Sequence, residues 1–542
     1  PLFYFATPAW FLRTTAYRDE LVEFNRRIRW VPPEVGTGRF GDWLEGNVDW
    51  AISRERYWGT PLPIWVCDRQ EGHVEVFGSL EGLRKRAGSL PRDLDLHRPA
   101  VDGITFRCVD CPGSMRRVAS VLDCWFDSGA MPLAQYHWPF ENRDRVREQF
   151  PADYIAEGLD QTRGWFYTLH AIATFLTGVD RARAAEDSAL ALPEGSAYRT
   201  CLVNGLVLDR EGKKMSKRLG NTIDPWDVLK RDGADALRWY LLSTSAPWLP
   251  RKFDPAGVSD VRHGFLRKVA DSYNFFARYA NVEAWGPGGT RTDPEPLDRW
   301  IDSRRASTVL AVGEALGAYD LTGACRAIER FVVEDLSNWY IRRSRDRFWK
   351  GGAGARAAFE ALHAGLETTC RLLAPFTPFL ADEIYGRLRG GKESVHLARF
   401  PEADASKREA GLEAAMDVVL RVCRMGHALR ERAKRRVRQP LRGIQVWGGE
   451  VAVRALRERT FAGLVLDELN VKDLGVHEGR PAGMVLRAKP NYAVVGKKLG
   501  PRVKILERRL AKPDEPLLAS LWELRSGRGE VTLDLDGARM PV

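Results

Sequence analysis

The stretch Asp209-Arg-Glu-Gly-Lys-Lys-Met-Ser-Lys-Arg-Leu-Gly220 decides how this chain is read. A strand-like run, Cys201-Leu-Val-Asn-Gly-Leu-Val-Leu208, leads into it, and Asn221-Thr-Ile-Asp-Pro-Trp226 follows as a helix start. A glycine-hinged loop in which Lys213, Lys214, Lys217 and Arg218 flank Ser216 can bring several cations to one polyphosphate. Taken alone, the same residues also describe a solvated basic turn. The flanking sequence separates the two readings.

Upstream, Ala152-Asp-Tyr-Ile-Ala-Glu-Gly-Leu-Asp160 reads as a short apolar strand that carries Glu157, Gly158 and Asp160 to its carboxyl end. The segment from Gln161 to Leu176 continues as a long, largely buried helix. Strand, helix and strand, with polar residues at the strand ends, describe an open parallel α/β sheet that binds ligands beyond its carboxyl edge. Glu157 and Asp160 also suit a helix N-cap, a role compatible with ligand binding. Val121-Leu-Asp-Cys-Trp-Phe-Asp-Ser-Gly129 reads as a strand end running into a tight turn. Nearer the start, Trp10 to Thr15 reads as a strand, Asp19 to Trp30 as an amphipathic helix, and Val31 to Gly38 as a break. In Gly46 to Gly59, the spacing of Trp50, Arg54 and Tyr57 places them on one face of a helix packed by its aromatics.

Composition narrows the class. The chain has 542 residues, a soft prior of roughly three or four domains. With 44% apolar residues and 18 tryptophans it can build large cores, and its net charge of +11 favours a polyanionic partner. No apolar run is long enough to cross a bilayer. Eight scattered cysteines do not form a disulfide framework and fit a reducing, cytoplasmic setting. Pro1-Leu-Phe-Tyr-Phe5 has neither an initiator methionine nor a basic leader region, and reads as a chain cut inside a larger protein.

Cys108-Val-Asp-Cys111 has the spacing of half a zinc site, and a structural zinc needs four ligands. Upstream stands only Cys67, followed by Arg69-Gln-Glu-Gly where a second cysteine is expected. His73, at an irregular spacing, completes a Cys3His set on paper. A half-decayed site that folds without metal is given at least equal weight.

After Arg251-Lys-Phe-Asp-Pro255, helical periodicity runs through Val258 to Val282, Pro296 to Gly317, Leu321 to Arg347 and Ala355 to Leu388. Ser337-Asn-Trp-Tyr-Ile-Arg-Arg-Ser-Arg-Asp-Arg-Phe-Trp349 interleaves aromatics with arginines. That pattern suits a buried aromatic stripe with a solvated basic face, and equally a surface that grips RNA. An arginine-dense helix over Arg421 to Arg442 supports an RNA or links domains, with nothing to separate the two. Beyond Ile444 the pattern turns mixed α/β: Ile444-Gln-Val-Trp447, Leu466 to Lys472, Pro490-Asn-Tyr492, and a last piece through Glu530 to Leu535 that reads as stopping partway.

Lys214-Met-Ser-Lys-Arg218 resembles the KMSK-type signature of class I aminoacyl-tRNA synthetases. Four further segments resemble the isoleucyl-tRNA synthetase family in particular: Trp50 to Trp65, Trp125-Phe-Asp-Ser-Gly-Ala-Met-Pro132, Glu157-Gly-Leu-Asp-Gln-Thr-Arg-Gly-Trp165 and Gly233-Ala-Asp-Ala-Leu-Arg-Trp-Tyr240. The likeness extends from residue 1 to about residue 500. It implies that isoleucine attacks the α-phosphate of Mg2+-ATP, giving isoleucyl-adenylate and pyrophosphate, and that the terminal adenosine of tRNA(Ile) then accepts the aminoacyl group. By the same resemblance Lys217 contacts ATP with Lys214 as its helper and Ser216 beside them. Glu157, with Gly158, Asp160 and Gln161 around it, holds the adenylate, and Trp125 and Trp165 wall the isoleucine side chain. A slot of this kind discriminates one methylene by only about 1–3 kcal/mol; isoleucine against valine in this family is the standing illustration of that limit. Arg342, Arg343 and Arg345 match the anticodon-binding helical domain and are the candidate tRNA contacts.

The expected architecture is therefore α/β, the second half of a class I Rossmann-like catalytic domain, then an α-helical anticodon-binding bundle and a small α/β C-terminal domain. Residues 1–45 are expected to be the exit of an editing insertion, 46–250 the half-catalytic domain with a small insertion near 67–120, 251–440 the helical domain, and 441–542 the C-terminal domain. One departure stands out. A class I enzyme also needs a His-x-Gly-His element, and none of the nine histidines here lies in one. The isolated chain is expected to be inactive, and the complete enzyme monomeric. The remaining alternatives are a valyl or leucyl enzyme, or a tRNA-binding relic without catalysis.

Overall fold

The computed structural model describes residues 7–88, 90–179, 191–288, 293–391, 393–479 and 503–511, single positions at 481, 490, 492 and 517, and the strands at 532–535 and 538–541. Two compact units result. One comprises Pro1–Ala270, Ala311–Glu329 and Leu372–Ala398; the other comprises Asp271–Leu310, Arg330–Arg371 and Arg399–Val542.

The first unit is organised on a parallel sheet in the order Ile155–Gly158, Thr200–Asn204, Arg29–Val31. The middle strand is almost wholly buried, as an apolar run covered on both faces should be. Its register sets Glu157 opposite Val203 and Gly158 opposite Asn204, so both strands end at the same edge. The parallel α/β layout read from the sequence is present.

Several local expectations are corrected. The helix that begins at Arg18 ends at Arg26, and Trp30 lies in the sheet instead. Its indole donates to Asn25 Oδ1 at 2.8 Å and packs on Phe40 with ring centroids 4.8 Å apart. The expected break contains a short helix, Pro33–Thr37; a Cβ on its Gly36 would fall 2.1 Å from the Trp30 ring. Trp50 and Arg54 are not on a helix. Trp50–Ala51 pairs with Phe11–Leu12, Ser53–Arg54 pairs with Val121–Leu122, and Tyr57 is exposed beyond them. Two strand partners outweigh a three-residue helical coincidence, and Ile52 between them is buried.

The tight turn expected before Gly129 is the helix Cys124–Ala134, started by the Asp123 carboxylate accepting from Trp125 N at 3.3 Å. It crosses the helix Trp165–Thr174 at Gly129, where an added Cβ would meet the Thr168 backbone at 2.9 Å. That second helix is shorter than expected. A 3-10 turn, Leu159–Arg163, precedes it and a π-helical turn, Phe175–Val179, follows. The run through 201–208 also divides. At Gly205 the Leu249 backbone approaches within 2.6 Å of where a Cβ would be, and Val207–Leu208 then pairs in parallel with Arg251–Lys252.

Residues 64–117 form a separate four-stranded antiparallel knob, ordered Val74–Val76, Ile64–Cys67, Ser114–Arg117, Thr105–Arg107. Its own core is Trp65, Leu83, Phe106 and Met115. Farther along, Trp239 on the helix Ala234–Ser243 is fully buried between Phe265 and Phe376.

The second unit is helical, with the expected periodic stretches present as helices, although Arg330–Ile341 winds as a π-helix. Its buried carboxylates are paired: Asp298 accepts from Tyr340 at 2.6 Å and from Arg347 at 2.8 and 2.7 Å, and Arg304 bridges Asp335 and Glu413. The arginine-dense helix spans Ala410–Arg432 rather than 421–442; residues 433–442 turn away from it. A β-α-α-β unit follows, in which Ile444–Gly448 and Leu474–Glu478 pair in parallel. Leu466 to Leu469 end its second helix rather than form a strand. Asn491 and Glu530-Val531 lie outside the described residues, while Thr532–Leu535 pairs antiparallel with Ala538–Pro541. Among the described residues no helix is long and apolar enough to cross a membrane.

Candidate active site

Glu157 and Gly158 end the strand Ile155–Gly158, and Asp160 and Gln161 follow in the next turn. Gly158 ends its strand with Asp160 folded back over it, so that a Cβ there would lie 2.6 Å from Asp160 Oδ1. Gln161 donates to Asp160 Oδ2 at 2.8 Å and accepts from Trp165 N at 3.1 Å, which ties the turn to the start of the Trp165 helix. Glu157 is exposed and has no ion-pair partner among the described residues. No side chain caps the turn at Leu159 or the helix at Trp165, so neither Glu157 nor Asp160 takes the N-cap role.

Trp125 and Trp165 sit in the first turns of the two helices that cross at Gly129. The rim of the Trp125 ring stands over Gly164, where an added Cβ would be 3.2 Å from it. Trp125 is 40% exposed and Trp165 half-buried, each in the first turn of its helix. Sequence reasoning missed what fixes the start of the Trp125 helix. Asp123, only 3% exposed, accepts Arg54 Nη2 at 2.6 Å and Trp50 Nε1 at 3.2 Å while capping the Trp125 helix. Arg54 therefore neutralises a buried carboxylate at the start of that helix. The Asp123-Cys-Trp125 order, an N-cap residue two before a tryptophan, was the available signal.

The signature loop is held at its neck and free at its tip. Asp209 Oδ1 accepts from Lys213 N at 2.7 Å, and Asp209 Oδ2 accepts from Asn221 Nδ2 at 2.7 Å. The same amide donates to Lys214 O at 3.3 Å, and its oxygen accepts from Ser216 N at 2.9 Å. The Asn221 amide, then the Lys213 N–H, hold the Asp209 carboxyl below its ordinary range. Ser216 caps a single turn, Lys217–Leu219, which Gly220 closes at a φ of 64°. Arg210 reaches Asp254 at 3.2 Å, and the Lys252 side chain lies against Gly212. Lys214 and Lys217 are exposed, with no ion-pair partner among the described residues. A loop with bound ends and unpaired ammonium groups is suited to close on a polyanion and reopen. Asn221, Asp209 and Lys252 were not singled out by sequence, although an Asp opening and an Asn closing a turn is a legible pattern.

Residues 3–248 match the family described as tRNA synthetases class I (I, L, M and V), and residues 298–445 match the anticodon-binding domain of tRNA ligase. The chain belongs to the class I tRNA synthetases. It is 41% identical to an isoleucine–tRNA ligase of Porphyromonas gingivalis across 98% of this chain and 48% of that one. With the isoleucine–tRNA ligase of Thermus thermophilus the identity is 42%, across 95% and 48%. The chain spans about half the length of the curated relatives it matches. Among solved structures, a ternary complex of Agrobacterium radiobacter K84 agnB2 LeuRS with tRNA and LeuAMS aligns with a TM-score of 0.51 at 23% identity, over 67% of this chain and 43% of that one. That likeness speaks for the fold alone.

The knob brings together four metal-ligand side chains. Cys67, His73, Cys108 and Cys111 present their ligand atoms within 4.8 Å of one another. Cys67 Sγ lies 3.4 Å from Cys111 Sγ, and Cys108 Sγ lies 3.3 Å from His73 Nδ1. Two hairpin turns face each other here, and Gly113 lets them approach: a Cβ on it would fall 2.5 Å from Cys67 Sγ. The irregular spacing of His73 is an effect of its turn, closed by Cys67 N donating to His73 O at 3.0 Å. The four side chains meet although their spacing along the chain is irregular.

In the second unit the three candidate tRNA arginines diverge. Arg342 makes a bidentate pair with Glu468 at 2.9 and 2.8 Å, and Arg343 reaches Asp467 at 3.3 Å. Burial pushes the Glu468 carboxyl up, but Arg342 and His427 outweigh it and hold it below its ordinary range. Both arginines are thus committed to struts within the unit. Arg345 is exposed, has no ion-pair partner among the described residues, and shares its helix with the exposed Trp349.

The neck contacts predict the effect of loosening the loop. Asn221→Ala removes three hydrogen bonds at once, so tryptic cleavage within Lys213–Arg218 should accelerate several-fold with no change in the melting of the sheet. Cleavage at the wild-type rate would contradict the clamp.

Proposed function

We propose that this chain acts in ATP-dependent activation of isoleucine and its transfer to tRNA(Ile), as part of a longer protein that also carries the histidine element absent here. The reading is supported by three features of the first unit: Trp125 and Trp165 in the first turns of two helices that cross at Gly129, the exposed Glu157 at a strand end, and the exposed Lys214 and Lys217 with no ion-pair partner among the described residues. The isoleucine side chain lies between Trp125 and Trp165, which excludes water from it. Glu157 accepts from the α-ammonium group or a ribose hydroxyl, and the glycine after it leaves room for the ligand. Asp160 and Gln161 hold the turn that shapes this wall. Isoleucine carboxylate attacks the α-phosphate of Mg2+-ATP; the bond to the β-phosphate oxygen breaks and pyrophosphate leaves. Lys217 and Lys214 stabilise the charge that grows on that leaving group, with Ser216 fixing the turn between them. In the second step a hydroxyl of the terminal adenosine of tRNA attacks the adenylate carbonyl and AMP departs. Isoleucine is preferred over valine or leucine as the substrate because the relatives are named isoleucine–tRNA ligases.

We also propose zinc at Cys67, His73, Cys108 and Cys111. Tetrahedral bonds of about 2.3 Å put sulfur ligands about 3.8 Å apart, close to the spacings found. The ion would join the two hairpin turns of the knob and stabilise its fold, with no part in the chemistry. For the helical domain, Arg345 is the tRNA contact of the three arginines, and Arg342 and Arg343 position the helix that bears it.

Three measurements test these readings. The chain by itself should give no isoleucine-dependent ATP–pyrophosphate exchange; a clear signal overturns the half-site. In the complete enzyme, Lys217→Ala should lower kcat for exchange by about 10²–10³, the usual effect of deleting one transition-state charge donor, with KM for isoleucine little changed. Metal analysis of the purified chain should find one zinc per molecule, lost in Cys108→Ser and weakened in His73→Ala; a metal-free folded wild type contradicts the site.

A further inference from the structure

Arg251–Lys252 is the strand that runs beside the signature loop, and it is anchored on both sides of Lys252. Arg251 N donates to Leu206 O at 2.8 Å, and Phe253 N donates to Leu208 O at 2.9 Å. The Arg251 side chain is buried and ends on backbone, its guanidinium donating to Leu241 O, and to Ser245 O at 2.7 Å. Phe253 is buried as well, edge-on to Tyr240 with ring centroids 5.5 Å apart. The Tyr240 hydroxyl donates to Lys252 O at 3.3 Å and accepts from Asp254 N at 3.2 Å. Between these anchors the Lys252 side chain is exposed, with no ion-pair partner among the described residues.

Two pairings meet at Leu208. It pairs in parallel with Lys252 on one side and bridges antiparallel to Lys214 on the other. Lys214, Leu208 and Lys252 therefore form one row across three strands. Residues opposite one another in a sheet project to the same face, so Lys252 shares a face with Lys214, about 10 Å away across two strand spacings. The turn that follows Leu208 also returns to Lys252. A Cβ on Gly212, whose φ is 86°, would fall 3.0 Å from Lys252 Cε and 3.7 Å from its Nζ. Edge strands carry lysines simply to stay unpaired. That role does not call for the ammonium group to lie against a loop whose own lysines have no ion-pair partner among the described residues.

We propose that Lys252 is a further contact for the polyphosphate of ATP, a cation on a fixed strand that meets the phosphates from the face it shares with Lys214. The proposal rests on the ATP-activation reading above and adds to it a residue from outside the signature. Lys214 is carried by a loop that moves, whereas Lys252 is held by its neighbours before any nucleotide arrives, so less freedom is lost when it binds. Two ammonium groups on one face repel until an anion bridges them. Closure of the loop is thereby coupled to the presence of the phosphates, and the charge growing on the departing pyrophosphate meets a cation that is already in place.

The test has two arms. In the first, this chain is digested with trypsin in the presence of Mg2+ and inorganic tripolyphosphate, which should slow cleavage within Lys213–Arg218 and leave cleavage elsewhere unchanged. Lys252→Met should need about tenfold more tripolyphosphate for the same protection, the effect of losing one charged hydrogen bond, and Lys252→Arg about as much as the wild type. Without tripolyphosphate, the loop of Lys252→Met should be cut at the wild-type rate; faster cutting would mean that Lys252 only braces the turn, and would overturn the proposal. No protection of the wild type would count against the ATP role of the loop as well as against Lys252. Protection that survives unchanged in a folded Lys252→Met variant would count against Lys252 alone. In the second arm, the complete enzyme carrying Lys252→Met should show KM values for ATP and pyrophosphate raised about tenfold in the exchange reaction, with KM for the amino acid unchanged and Lys252→Arg recovering most of the loss. Unchanged KM values for ATP and pyrophosphate would overturn the assignment. Exchange that depends on valine or leucine decides against the isoleucine reading, while the ATP dependence still judges Lys252.

Discussion

The parallel hydrogen bonding of Ile155–Gly158 to Thr200–Asn204 is the constraint on which the site depends. Parallel strands in register end at the same edge, so the chain leaving each one starts from the same place. From the first strand it turns at once through Asp160 and Gln161 into the helix of Trp165. From the second it crosses the Leu249 backbone at Gly205, gains a new parallel partner in Arg251–Lys252, and opens into the lysine loop. One ladder thus fixes the origin of both the carboxylate wall and the cationic loop. A slip of one residue would turn Glu157 to the other face of the sheet.

Around that ladder, rigidity and mobility are divided by chemistry. The two tryptophan-bearing helices touch at Gly129, and Arg54 pairs with Asp123 at the start of one of them. The loop is fastened at its neck by an aspartate and an asparagine, and Lys214 and Lys217 have no ion-pair partner among the described residues. The second unit uses its charges in the opposite sense. Arg304, Arg342 and Arg347 are each bound to buried or half-buried carboxylates, and serve as struts between helices. Exposure together with the absence of an acidic neighbour therefore separates arginines available to a polyanion from those consumed by the fold.

Much of this was legible in the sequence, and the failures have physical causes. The parallel strands, the helix start within Asn221–Trp226, and the long helices were readable because apolar runs and helix-start residues are local signals. Trp30 and Trp50 were assigned to helices because their strands are two or three residues long, too short for periodicity to outvote a chance spacing. The helix Cys124–Ala134 was hidden by an internal glycine and proline, each unfavourable in isolation and each tolerated through tertiary contact. The cysteine set looked incomplete because spacing along the chain says little about two hairpins brought face to face. The roles of Arg342 and Arg343 depended on Glu468, more than a hundred residues away, and no local pattern reports that.

The central claim is that the slot, the carboxylate and the loop enclose a single aminoacyl-adenylate. The most direct measurement is a crystal structure of the complete enzyme with a non-hydrolysable isoleucyl-adenylate analogue. The aliphatic side chain should lie between Trp125 and Trp165, with Glu157 within hydrogen-bond distance of the ammonium group or ribose, and the lysine loop drawn toward the phosphate position. An analogue bound with its side chain away from both tryptophans, or out of reach of Glu157, would contradict the account.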